Sequence, residues 1–190
     1  MTRLLFGIVL GLALAPLCLL GWFRFGKPPV AVADKPLPLE KQMGPPALLA
    51  RIAHDTKQKP PVQADEPTLV AGAEIYRDSC AACHGFHNKR TAFAGHMYPA
   101  APQLWEPRPK SDIVGVSNDP PDATHWKIAN GIRNTGMPAF KDQLTDREIW
   151  EVTLLLANAN KPLPQGAVVI LRPTSHPGLP ALPEDLLPKP

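Results

Sequence analysis

The sequence predicts an all-α protein, and three observations carry that expectation. Thr145 is followed three positions later by Glu148, a capping box that opens a helix, and Ile149, Val152, Leu155 and Leu156 then recur on one face. A second helix is expected just ahead of Cys80, where Gly72 would let it cross the first closely and Tyr76 lies one turn further along the same face. At the N-terminus, Leu4 to Phe25 is a run of 22 residues whose one charge is Arg24, long enough to cross a hydrocarbon layer as a helix.

That first run makes residues 1–26 a candidate transmembrane anchor. Arg3 precedes it and Arg24 and Lys27 follow, so charge asymmetry does not orient it. Ala31-Val32-Ala33 before Asp34 has the small-x-small form of a cleavage site, so a signal peptide removed near Ala33 is the competing reading. Against it, the apolar run is longer than the usual ~7–15 residues of such a leader. Cys18 falls inside the run and lacks the preceding pattern of a lipidation site.

Proline divides the remainder. Nine prolines fall between Lys27 and Pro67 and eight between Lys161 and Pro190, and such stretches favour extended connectors over packed cores. The expected organisation is therefore a proline-rich linker at 27–65, a single folded domain at 66–160 and a proline-rich tail at 161–190. Within the linker, Ala47 to Lys57 has the makings of a short helix. Charge follows the same division: residues 66–160 hold nine Lys and Arg against eleven Asp and Glu, a net −2 inside a chain of net +3. No uniformly basic surface results, and nothing points to nucleic acid.

Residues 80–84 read Cys-Ala-Ala-Cys-His. Two cysteines three apart followed at once by histidine is the attachment pattern of c-type haem. On one turn of helix Cys80 and Cys83 point to the same side, so both thiols can add to the two vinyl groups of one haem, with His84 held beside the iron as proximal ligand. Zinc binding or a redox dithiol are the alternatives for the cysteine pair, but zinc needs further ligands and the one other cysteine, Cys18, lies in the apolar run. A domain of about 95 residues is small enough that the haem must supply much of its interior.

What fills the far side of the iron decides whether such a protein carries electrons or does chemistry. Met137 is the candidate, in a loop from Gly131 to Phe140 punctuated by Gly136 and Pro138 that can carry a thioether onto the iron in a fixed pose. Met97, His96, His87 and His125 are weighed beside it: the first three lie close after His84, and His125 sits at the start of an expected helix.

These blocks resemble the monohaem class I cytochrome c family, in particular its bacterial, membrane-anchored branch similar to cytochrome subunits of oxidases and dehydrogenases. Gly72, Tyr76 and Cys80 have the family's spacing; Trp126 to Ile132 with Gly136 to Phe140 match its sixth-ligand block; Leu144 to Trp150 is similar to its C-terminal helix. The resemblance implies a small all-helical class I fold around one covalent haem c, with His84 and Met137 as axial ligands. It also likens Tyr98 to Leu104 to a proline-containing segment in which a backbone carbonyl accepts the Nδ1 proton of the proximal histidine.

The function expected is that of a one-electron carrier, not an enzyme, tethered at the periplasmic face of a bacterial inner membrane. Haem attachment to thiols implies an exported domain, which leaves the N-terminus of the anchor in the cytoplasm; cleavage near Ala33 would instead give a soluble periplasmic protein. Redox proteins are the expected partners, with a dehydrogenase or quinol-oxidising complex as donor and a terminal oxidase or reductase as acceptor. A fixed electron-entry subunit of a membrane dehydrogenase or terminal oxidase is the alternative. An open-site haem enzyme or gas sensor would need Met137 to be displaceable.

Overall fold

The computed structural model describes residues 1–56, 58–87 and 89–173; the expected tail from residue 174 onward, Lys57 and Asn88 lie outside them. Two compact units divide the chain, Met1–Gly44 and a second that begins at Pro45.

In the first unit α1 spans Thr2–Phe25, contains an 18-residue stretch of mean hydropathy 2.5 and has none of its residues buried. Among the described residues it is the one helix long and apolar enough to cross a membrane. Helix α2, Glu40–Asp55, starts in this unit, where the Glu40 carboxylate accepts the Leu37 backbone N–H, and ends in the second.

The second unit is helical, with two isolated bridges and no strand among its described residues. Helix α3 spans Glu66–Ser79, and its N-cap Asp65 accepts the Thr68 N–H. Helix α4, Ala81–His84, is one turn that continues from it. After a 3-10 turn at Phe93–His96 come α5, Pro121–Asn130, α6, Asp146–Ala157, and α7, Gln165–Ile170. Both arms of the expected capping box form: Thr145 Oγ1 accepts the Glu148 N–H, and the Glu148 carboxylate accepts the Thr145 N–H at 2.7 Å.

Helices α3 and α6 cross where Gly72 meets the backbone of Glu151, so close that an added Cβ would run into the Glu151 carbonyl. This crossing buries Leu69, Ala73 and Tyr76 against Ile149, Val152 and Leu155. One face of α6 was expected to be apolar and covered, yet every residue from Ile149 to Leu156 is buried. The reason is that α5 covers a second side, where the His125 ring stacks on Trp150 at 4.2 Å.

Packing also reaches past both ends of the 66–160 stretch. Ile52 on α2 is buried, and Asp55 accepts the indole N–H of Trp126 at 3.2 Å. At the other end α7 lies on α3 with Ala167 and Leu171 fully buried. Each is an apolar island in a proline-rich stretch: Pro164 is the N-cap of α7, where no intrahelical N–H bond is forfeited, whereas Pro45 and Pro46 stand inside α2 ahead of Ile52.

Candidate functional site

Helix α4 and its N-cap residue present Cys80, Cys83 and His84 to one cavity, and the geometry of this turn is fixed from three directions. The Tyr76 hydroxyl, buried under the turn, donates to the Gly85 carbonyl at 2.7 Å. Gly85 itself has φ +77°, and a side chain there would meet Gln103 and the Lys89 carbonyl, so only glycine lets the chain turn away directly after the histidine. The third support is the segment 101–104. Leu104 N–H donates to the His84 carbonyl at 3.1 Å, Gln103 Nε2 donates to the Cys83 carbonyl at 3.2 Å, and Gln103 Oε1 accepts the Thr91 N–H.

That segment also supplies the acceptor for the histidine. His84 Nδ1 donates to the Pro102 carbonyl at 2.8 Å, which puts the ring proton on Nδ1 and leaves Nε2 with its lone pair. Burial pulls the His84 imidazole below its ordinary range, outweighing the opposite pull of the Pro102 carbonyl, and so favours the neutral, ligating form. Burial pushes the Cys80 thiol up to about 12, helped by Cys83. A redox dithiol needs a depressed thiol, so this environment argues against that reading of the pair. For zinc the pair lacks company: among the described residues no group of three or more His, Cys, Asp or Glu is placed to hold an ion.

The cavity encloses about 340 Å³ and is overwhelmingly apolar, within the range of roughly 300–1,000 Å³ usual for small-molecule and cofactor sites. Its walls include both cysteines and His84, Pro102 and Leu104 of the bracing segment, Ile128 of α5, Leu156 of α6, and Ile132, Met137 and Phe140 of the 131–140 loop. That loop folds back on α5: Phe140 N–H donates to the Ile128 carbonyl and Ile132 N–H to the Met137 carbonyl. Gly131, at φ +66°, makes the fold-back, because a Cβ there would strike Pro138 and Ala139. Thr135 then pins the methionine, its Oγ1 accepting the Met137 N–H at 3.1 Å. An apolar slot with two thiols, a neutral imidazole and a thioether on its walls is the donor set a covalent haem requires.

Of the other ligands weighed from the sequence, Met97 shares this cavity, with its Cε against Gly136 beside Met137. His87 turns its ring edge to Trp105 at 5.8 Å, and His125 is held by Asp146 at 2.9 Å and by Trp150. His96 is exposed and lies outside the cavity wall. Sequence reasoning missed Leu48, Thr124 and Lys127, all of which line the cavity. Leu48 carried no signal, since it sits in the proline-rich stretch. Thr124 and Lys127 share a helix face three residues apart, which periodicity could have placed once the cavity side of α5 was known.

A family model described as cytochrome c oxidase, cbb3-type, subunit III matches residues 67–155. No curated protein and no solved structure matches the chain.

Proposed function

We propose that this protein is a one-electron carrier with histidine and methionine as axial ligands; the match of residues 67–155 to a c-type cytochrome model supports the reading, since such domains bind haem c covalently and transfer electrons through it. Cys80 and Cys83 would form the two thioether links to the haem, and His84 Nε2 and the Met137 sulfur would hold its iron. The observation that carries the reading is that His84, with its Nδ1 proton held by Pro102, shares one apolar cavity with Met137. The bound haem supplies an iron that alternates between ferric and ferrous. The chain's part is to keep both ligands in place in both states, so that little reorganises, while the apolar walls exclude water. It carries electrons and is not an enzyme.

Helix α1 anchors the domain in the inner membrane with the haem domain in the periplasm, and the residues between α1 and α2 are the tether. Holding the domain near its redox partners raises their effective concentration without any new contact. A second reading, in which the same domain is a fixed electron-entry subunit of a terminal oxidase or dehydrogenase complex, is favoured by the oxidase-subunit description of the matching family model.

Optical spectra of the purified protein in both oxidation states test the assignment. Expected are a c-type spectrum that survives denaturing electrophoresis, from the covalent links, and a weak sulfur-to-iron charge-transfer band in the oxidised form. A high-spin ferric spectrum without that band would overturn the His/Met ligation. Co-purification of oxidase subunits in mild detergent would favour the second reading.

A further inference from the structure

Among the described residues on the cavity wall, Lys127 is the one Lys, Arg, Asp or Glu. It lies on α5, three residues after Thr124, a buried residue of the same wall. Its Nζ is 3.2 Å from Asp119 Oδ2, and Asp119 Oδ1 accepts from Arg108 Nη2 at 2.6 Å. Arg108 Nε in turn donates to the carbonyl of Gly115, the residue before Val116 on the cavity wall.

The charges in this chain do not cancel. Two cations share one carboxylate, so a net positive charge remains at the cavity edge. Lys127 and Asp119 are each 22% exposed, shielded enough for that charge to act over a few ångströms without being fully screened. An otherwise apolar cavity with one cation on its wall is suited to a ligand that is apolar over most of its surface and anionic at one edge. A haem is such a ligand, with two propionate carboxylates on one side of the macrocycle.

We propose that Lys127 is a propionate anchor: the carboxylate edge of the haem lies along the α5 and Val116 wall, where the Arg108–Asp119–Lys127 chain neutralises one propionate. This rests on the cavity being the haem site, and is independent of whether Met137 ligates. Lys127 thereby becomes a positioning residue that fixes the haem's rotation in its slot and adds a positive charge near the iron. A nearby cation favours the less positive ferrous state, so it raises the reduction potential.

The test is the midpoint potential of the full-length holoprotein in detergent, compared among the unsubstituted chain, Lys127→Gln, Lys127→Arg and Asp119→Asn. Lys127→Gln is expected to lower the potential, Lys127→Arg to lie nearer the unsubstituted value, and Asp119→Asn to shift it the opposite way by freeing positive charge. The propionate-bending band in resonance Raman spectra should move in Lys127→Gln, through loss of the contact. A purely structural role would move both neutralising variants in the same direction; that result, or no shift in either, overturns the proposal. An absent sulfur-to-iron band in the unsubstituted protein would instead overturn the Met137 ligation and leave these shifts readable.

Discussion

The carbonyl oxygen of Pro102 lies 2.8 Å from Nδ1 of His84, and it is Gln103, the next residue, that keeps it there. Gln103 donates to the Cys83 carbonyl and accepts from Thr91, so it pins the bracing segment to the haem-attachment turn at both ends. Gln103→Ala should orphan the Thr91 N–H and cost about 1–3 kcal/mol of stability, measured by denaturant unfolding of the holoprotein. The looser segment should also weaken the Nδ1 hydrogen bond, making the imidazole a poorer donor to ferric iron and raising the potential. A variant with the stability cost but an unchanged potential would show that Pro102 needs no help from Gln103.

Met137 is held by a loop whose every hinge has a reason: Gly131 turns it and Thr135 pins the methionine backbone. Met137→Ala should keep the covalent haem, abolish the sulfur-to-iron charge-transfer band, lower the potential and open the iron to carbon monoxide. Met97, whose thioether lies against Gly136 in the same cavity, is the control. Persistence of the band in Met137→Ala and its loss in Met97→Ala would transfer the distal ligand to Met97.

The α3–α6 crossing was legible because it is local chemistry: a capping box and a glycine at the point of contact are written in short range. The Cys80 to His84 turn was legible for the same reason. What the sequence concealed depends on long-range closure. The acceptor for His84 was one of seven residues until the fold put the Pro102 carbonyl there, and nothing about Leu48, Ile52, Ala167 or Leu171 distinguishes an apolar island that docks from one that does not. Their prolines suggested extended connectors, and burial of Ile52 and Leu171, each worth about 1.5–3 kcal/mol, works against that preference. Lys127 was hidden too, since a lysine on a helix is ordinarily a solvated charge.

Asp119 predicts a pH dependence. Burial alone would push its carboxyl up, but the hydrogen bond from Arg108 and the charge of Lys127 outweigh this and hold it below the ordinary range. A carboxyl depressed in the folded state binds its proton less readily there than in the unfolded chain. Its contribution is therefore fully present above the unfolded value of roughly 3.9 and is lost as pH falls through the lower folded value. Asp119→Asn should be less stable than the unsubstituted chain at pH 7, and the gap should close below about pH 4. Thermal unfolding of both across that range checks it, and a gap that stays constant with pH would mean the ion pairs contribute nothing.

Helix α1 makes the sharpest prediction about location. Its 24 residues, with an 18-residue stretch of mean hydropathy 2.5, span about 36 Å at the helical rise, against roughly 30 Å of hydrocarbon. Transfer of so many apolar side chains out of lipid is too costly for salt or carbonate to achieve, so the retained protein should stay in the membrane pellet with its N-terminus intact by mass spectrometry. Cleavage after Ala33 would leave no described helix able to span. A mature chain beginning at Asp34 in the soluble periplasmic fraction would therefore remove the tether, and with it the gain in local concentration. The cavity chemistry of Cys80, Cys83 and His84 would stand, because every residue that lines the cavity lies after Gly44.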